Sequence, residues 1–233
     1  MKGVEVAGYQ ERPGTLPGSV LWRSDRAGEG EILPDGCMDL IWVDGSLLVA
    51  GPDLTPYLST SSGQPHVGLR LPPGFLPHLL RHRAADLVNQ RAGLDQLDLP
   101  ADIRRSVSLT RHDEPEVWLE RLVARWLSEV PTLDMRRSVA AGRLLEAGVS
   151  VAATAAQLAV DVRQLHRSSQ AWFGYGPKAL ARILRLQRAL AATHSGTSGA
   201  DVAAAVGYAD QSHLNRDARK ITGRSFSELA APY

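Results

Sequence analysis

The segment GYADQSHLNRDARKITG, residues 207–223, gathers Gln, Ser, His, Asn and two Arg within a few helical turns and closes on Thr-Gly. Such a set could be a catalytic cluster, a metal site or a surface that reads another molecule. Its spacing favours reading. Ser212, Asn215, Arg216 and Arg219 fall at i, i+3, i+4 and i+7, opposite Leu214, Ala218 and Ile221, with Gln211 at the helix start. Asp210 stands where an N-cap would accept a hydrogen bond from the free N–H groups of that helix. Arg bonds bidentately to guanine, and Asn and Gln to adenine, so these residue types suit base edges in a major groove. Lys220, further round the same helix, is expected at a backbone phosphate.

The same plan occurs earlier in the chain. In VSVAATAAQLAVDVRQLHRSSQAWFG, residues 149–174, Arg163, His166, Arg167 and Gln170 repeat the i, i+3, i+4, i+7 stripe, Leu165 and Trp172 turn inward, and Asp161 takes the cap position. Each polar helix follows an Ala-rich one, carrying Val151, Ala155 and Leu158 in the first copy and Val202, Ala203 and Val206 in the second. Small residues let two helices cross closely, and the second then lies in the DNA major groove, which is the plan of a helix-turn-helix unit.

Charge divides the chain at Pro131. Residues 1–131 hold 13 Lys and Arg against 18 Asp and Glu, a net charge of −5, while residues 132–233 hold 13 against 7, a net charge of +6. A basic half of that size suits a polyanion such as double-stranded DNA, and the acidic half a different task. The one cysteine, Cys37, excludes an internal disulfide and any multi-cysteine zinc site. The start, Met1 to Glu5, lacks the basic-then-apolar layout of a signal peptide, and no apolar run reaches eighteen residues. A cytoplasmic protein with no membrane partner is expected.

The segment from about Met135 to Tyr233 resembles the DNA-binding domain of AraC/XylS-type transcriptional regulators, through VGYADQSHLNRDARKITG and the turn and linking segment GYGPKALARILRLQRAL, residues 174–190. The resemblance implies an all-α domain with two helix-turn-helix units on one linking helix, in a bacterial transcription factor. Position by position, it implies that Arg163, His166 and Arg167 read bases in the first unit, and Gln211, Ser212, Asn215 and Arg216 in the second. The chain departs from the pattern at Ser169 and Ala218, where the family places a core aromatic, and at RSF, residues 224–226, in place of Ser-Pro. Trp172 and Phe226 are the candidates to supply the missing volume.

The acidic half shows short apolar runs, SVLWRS, CMDLIWV, SLLVAG and HVGLRL, separated by Pro-Asp-Gly, Asp-Gly and Gly-Pro. These predict strands of a small antiparallel roll or barrel between Val20 and about Leu71, followed by helices. In residues 114–130, Leu119, Leu122, Val123, Trp126, Leu127 and Val130 form one apolar stripe, to be covered by its own domain or by a dimer partner. The pieces ILPDGCMDLIW, VAGPDL and GLRLPPGFLPHLL resemble a small sensor-like domain found ahead of AraC-type DNA-binding domains. The expected architecture is thus an α+β sensor or dimerisation domain, residues 1–131, and an all-α DNA-binding domain, residues 132–233. THSGTSG, residues 193–199, reads as a loose connection inside the second.

Other chemistries find less material. No GxSxG, HExxH or glycine-rich phosphate loop is present, so neither an enzyme nor a cofactor is expected. His78 and His82, at i and i+4 of a predicted helix, could ligate a metal with Cys37, or simply be exposed or hydrogen-bonded. Cys37 beside Asp35 and Asp39 lacks the electropositive setting of a reactive thiol. Trp22 and Trp42, on strands predicted to be neighbours, could line an effector pocket with Cys37, or fill the core. The expectation is a regulator controlled by a small effector, with a second copy of the chain as a candidate partner and RNA polymerase as a further one if it activates. The alternative is a metal-binding or enzyme-like N-terminal domain fused to a DNA-targeting module.

Overall fold

The computed structural model describes residues 5–6, 8–107, 114–130, 132–193 and 197–231. Pro131, where the charge balance reverses, and residues 194–196 of the loose connection lie outside them. Among the described residues the first half is α+β and the second half all-α.

The strands are β1 (Glu5–Val6), β2 (Tyr9–Pro13), β3 (Val20–Ser24), β4 (Ala27–Ile32), β5 (Met38–Val43), β6 (Ser46–Ala50), β7 (Tyr57–Ser62), β8 (His66–Leu71) and β9 (Arg91–Gly93). Seven of them make an antiparallel sheet in the order β1-β2-β3-β8-β5-β6-β9, and β4 with β7 makes a two-stranded arm. The hairpin between β5 and β6 turns on Asp44 and Gly45, both at positive φ (47° and 75°), as a two-residue loop requires. Pairing of Ser24 with His66 and of Ala27 with Ser62 shows that the arm continues the β3–β8 ladder past a bend, where two residues face three. The extra residue turns the arm out of the sheet.

One face of the sheet is apolar. Leu21, Leu40, Val67, Leu69 and Leu71 are buried there beneath α1 (Leu76–Leu80), α2 (Ala101–Val107) and α3 (Pro115–Glu129). The α3 stripe predicted from its spacing buries Leu119, Leu122, Val123 and Trp126 against β8, with Leu127 and Val130 at the margin. The domain covers this stripe itself, so it offers no dimer seam. Trp126, 1% exposed, donates its indole N–H to Ser106 Oγ at 2.8 Å, so its one polar atom is satisfied. Burial of each such large side chain stabilises by roughly 2–3 kcal/mol.

The second half consists of α4 (Thr132–Glu146), α5 (Val151–Gln157), α6 (Val162–Phe173), α7 (Pro177–Ala191), α8 (Gly199–Ala205), α9 (Gln211–Thr222) and α10 (Phe226–Leu229). They share a core of their own, running from Ala141 to Phe226. Pro177 opens α7 at a position where its missing N–H costs nothing.

The two halves are docked. The end of α6 packs on α1 and on a 3-10 turn at Ala84–Leu87. Ser138 Oγ of α4 lies 2.8 Å from Gly74 O and 2.9 Å from His78 Nε2, and Gln187 of α7 donates to Pro34 O at 2.7 Å. Arg224, beyond α9, pairs with Glu31 of β4. The backbones meet closely: a Cβ on Gly142 would lie 3.2 Å from Pro73 O, and one on Gly174 2.6 Å from Val88 Cγ2.

Candidate nucleic-acid interface

Two helix pairs carry the predicted surface. Ser150 and Ser198 cap α5 and α8 through Ala153 N–H and Asp201 N–H. Asp161 accepts from Gln164 N–H at 2.7 Å and Asp210 from His213 N–H at 2.6 Å, so both predicted caps close the helices that follow them. Gly174 and Gly223 end those helices in the left-handed region, at φ 81° and 77°. From Asp161 to Gly174 and from Asp210 to Gly223 the two copies run in step, and their inward residues Leu165 and Leu214 are fully buried.

On α6, Arg163, His166, Arg167 and Gln170 are all exposed along one stripe. On α9, Gln211, Ser212, Arg216, Arg219 and Lys220 are exposed, and Asn215 is half-buried. Asn215 departs from the expectation. Its Oδ1 accepts from Phe226 N–H at 3.0 Å, so the carbonyl that bidentate adenine recognition needs already holds the first residue of α10. Ser169 and Ala218 are both fully buried, and Trp172 and Phe226 join the same core, at 5% and 3% exposure. Trp172 also donates to Asp134 Oδ2 of α4 at 3.1 Å.

One residue that positions the stripes is not marked by their spacing. Asp217 of α9 is buried and takes Arg182 Nε at 3.1 Å on one oxygen and Arg185 on the other at 3.0 Å, and the Arg185 guanidinium lies 4.2 Å from the Tyr208 ring centre. This pins α9 to the linking helix α7 and fixes the two exposed stripes relative to each other. The signal was an acid among the inward positions 214, 218 and 221 of a basic domain.

The family model described as a helix-turn-helix domain matches residues 154–231. The chain carries an AraC-type helix-turn-helix domain and is a DNA-binding transcription regulator. A second family model, a domain of unknown function (DUF6597), matches residues 19–93 of this regulator. No curated protein matches the chain. Similar solved structures include ToxT from Vibrio cholerae O395 bound to (E)-4-(8-methylnaphthalen-1-yl)but-3-enoic acid, at 12% identity and TM-score 0.47, covering 96% of this chain and 98% of that one. Wild-type ToxT from Vibrio cholerae strain SCE256 with an unsaturated fatty acid gives 12% identity and TM-score 0.43, with 94% and 97% covered. At that distance the likeness carries no inference about ligand or mechanism.

In the regulator's first half the candidate effector residues do not converge as expected. β8 lies between β3 and β5, and Trp22 pairs with Gly68 while Trp42 pairs with Val67. Consecutive strand residues point to opposite faces, so the two tryptophans do too. Trp42 meets Trp118 edge-on at 5.1 Å on the core side. Trp22 lies over Gly68 on the other face and donates to Asp39 Oδ1 at 2.7 Å; Arg70, 3.5 Å from that carboxylate and 3.3 Å from Asp35, completes the cluster. Cys37 donates its N–H to Asp35 Oδ1 at 2.8 Å, and its half-buried thiol is pushed well above the ordinary range, by desolvation first and then by Asp35. His78 and His82 do not share a helix: α1 ends at Leu80, and Arg81 at φ 51° turns the chain before His82. Among the described residues no three His, Cys, Asp or Glu side chains converge as a metal site, and no helix is long and apolar enough to cross a membrane.

Proposed function

We propose that this regulator reads one DNA site through two successive major-groove segments, using Arg163, His166, Arg167 and Gln170 of α6 and Gln211, Ser212, Arg216 and Arg219 of α9, with Lys220 on a phosphate and Asn215 as a brace. The observation that supports this is the repetition of one exposed polar stripe on two equally capped helices, held by a single linking helix. Residues 132–233 act as the DNA-binding unit and residues 1–131 as the sensing and dimerisation unit in a cytoplasmic bacterial protein without catalytic activity. A small effector acts on the first unit, with the Trp22–Asp39–Arg70 face and nearby Cys37 as its site, and the docked surface passes the change to α6 and α7. Contact with RNA polymerase follows if the protein activates.

The test uses a duplex selected from random sequence by the wild-type protein. Footprints should cover two segments about 10 base pairs apart on one face of the duplex. Arg167→Ala and Arg216→Ala should each cost about 1–3 kcal/mol and relax preference at different positions. Sites more than about 10 Å apart should lose nearly additively. Lys220→Ala should weaken every sequence alike. Uniform losses from the Arg variants, with every base preference retained, would refute the assignment of these faces.

A further inference from the structure

Between the two helix-turn-helix units lies a cleft of about 610 Å³ that none of the reading residues lines. Its walls are the end of α4 with the entry to α5 (Leu145 and Ala147 to Val151), one side of α7, and the turn that leaves α8 (Ala205 to Gly207). Lys178, Arg182, Arg185 and Arg188 of α7 all face it, and its lining contains no acidic side chain. Asp217 stands behind Arg182 and Arg185 and supplies one negative charge for two positive ones. Arg188 is less satisfied: its Nε is buried with no acceptor among the described residues, and its terminal nitrogens lie beside Gly148. Arg185 Nε is buried without an acceptor as well.

Arg188, without a carboxylate partner among the described residues, and Arg182 and Arg185, which share one, leave the cleft with excess positive charge that suits a multi-acceptor anion, and a phosphate meets the planar fork of Arg with two oxygens. The position of the cleft says which phosphate. In a helix-turn-helix unit the first helix crosses the DNA backbone, and the cleft opens at the start of that helix in one unit and at the turn into the reading helix of the other. A duplex engaged by both units must carry its backbone across the space between them. We propose that this cleft takes a backbone phosphate of the bound DNA, with Arg188 and Lys178 as its sequence-independent contacts. The inference rests on the DNA-binding reading above and adds a third contact point, on the linking helix.

The experiment measures full-length wild type, Arg188→Gln, Lys178→Gln and the double variant on a random-sequence duplex of about 30 base pairs and on the selected duplex, across a salt series. Arg182 and Arg185 are left intact because they hold Asp217. Each single variant should weaken both duplexes by the same factor, roughly three- to tenfold at low salt, and lower the salt slope by about one unit, the double by about two. Base preferences should not change. An unchanged slope in Arg188→Gln that melts like wild type overturns the proposal. So does an unchanged slope in Lys178→Gln, whose exposed side chain carries no folding burden should the Arg variant misfold. Saturable binding of inorganic pyrophosphate that Arg188→Gln abolishes, with the DNA slope unaltered, assigns the cleft to a free anion instead. Wild type that binds neither duplex refutes the underlying reading, whereas wild type that binds while both variants keep its slope refutes the cleft alone.

Discussion

Asn215 shows how one side chain can be claimed by two tasks. Its position on the exposed stripe of α9 marks it for adenine, but its carbonyl is bonded to the N–H of Phe226, a residue 3% exposed in the domain core. An N–H at a helix start has no intrahelical partner, so losing this acceptor costs the desolvation of the group. Asn215→Ala should therefore lower stability by about 1–2 kcal/mol while the pattern of base preference stays as in wild type. Asn215→Asp keeps an acceptor in place and should recover most of the stability. Thermal melts and binding to a panel of single-base changes decide between the tasks: a variant that melts normally but loses preference at one base pair returns Asn215 to the reading surface.

At the level of elements, the two units differ where each bends between its helices. Both turns need a residue in the left-handed region after the first helix; the first unit uses Ala159 at φ 53° and the second Gly207 at φ 82°. A side chain at such a φ costs about 1–2 kcal/mol, of which glycine's greater freedom in the unfolded chain takes back about 0.5–1 kcal/mol. Ala159→Gly should then raise stability by up to about 1 kcal/mol, and Gly207→Ala should lower it by a similar amount. Equal and opposite shifts in a urea titration are the expected result; destabilisation by Ala159→Gly would show that the first turn is held by its packing instead. These units were the most legible part of the chain, because caps, inward leucines and terminal glycines lie within a few residues of one another. The arm was not. Every residue of β4 is exposed and β7 is largely Ser and Thr, so neither has an apolar period to betray it. The tryptophans misled for a different reason: strand order is set by long-range pairing, and β8 enters between β3 and β5 from later in the chain.

The whole molecule rests on a docking surface that no local pattern announces, since it consists of loop backbone, Pro and Gly brought together only by folding. It presses Pro34, Pro73 and the 3-10 turn at Ala84–Leu87 of one half onto α4, α6 and α7 of the other. Gly142 tests it cleanly. Within α4 a leucine there raises helix propensity by about 1 kcal/mol, so residues 132–233 alone should melt no lower with Gly142→Leu than without it. In the full chain the same side chain meets Pro73, whose carbonyl would lie 3.2 Å from its Cβ with the rest of the leucine still to place, and the halves should part: a larger radius of gyration, and two unfolding transitions in place of one. The surface also carries a proton dependence. Burial holds the His78 ring below its ordinary value of 6.5 against the opposing pull of Asp134, and the ring faces Ser138 across the contact. An unfolded or undocked His78 binds protons more readily, so the stability that the neutral ring contributes is complete above that ordinary value and is lost as pH falls through it. Between about pH 7.5 and 5.5 the full chain should lose stability, and His78→Asn, which keeps a polar partner for Ser138 but does not titrate, should flatten the slope. A Gly142→Leu chain with unchanged radius and a single transition would show that the contact yields without parting, and the two halves would then have to exchange their signal by some route other than separation.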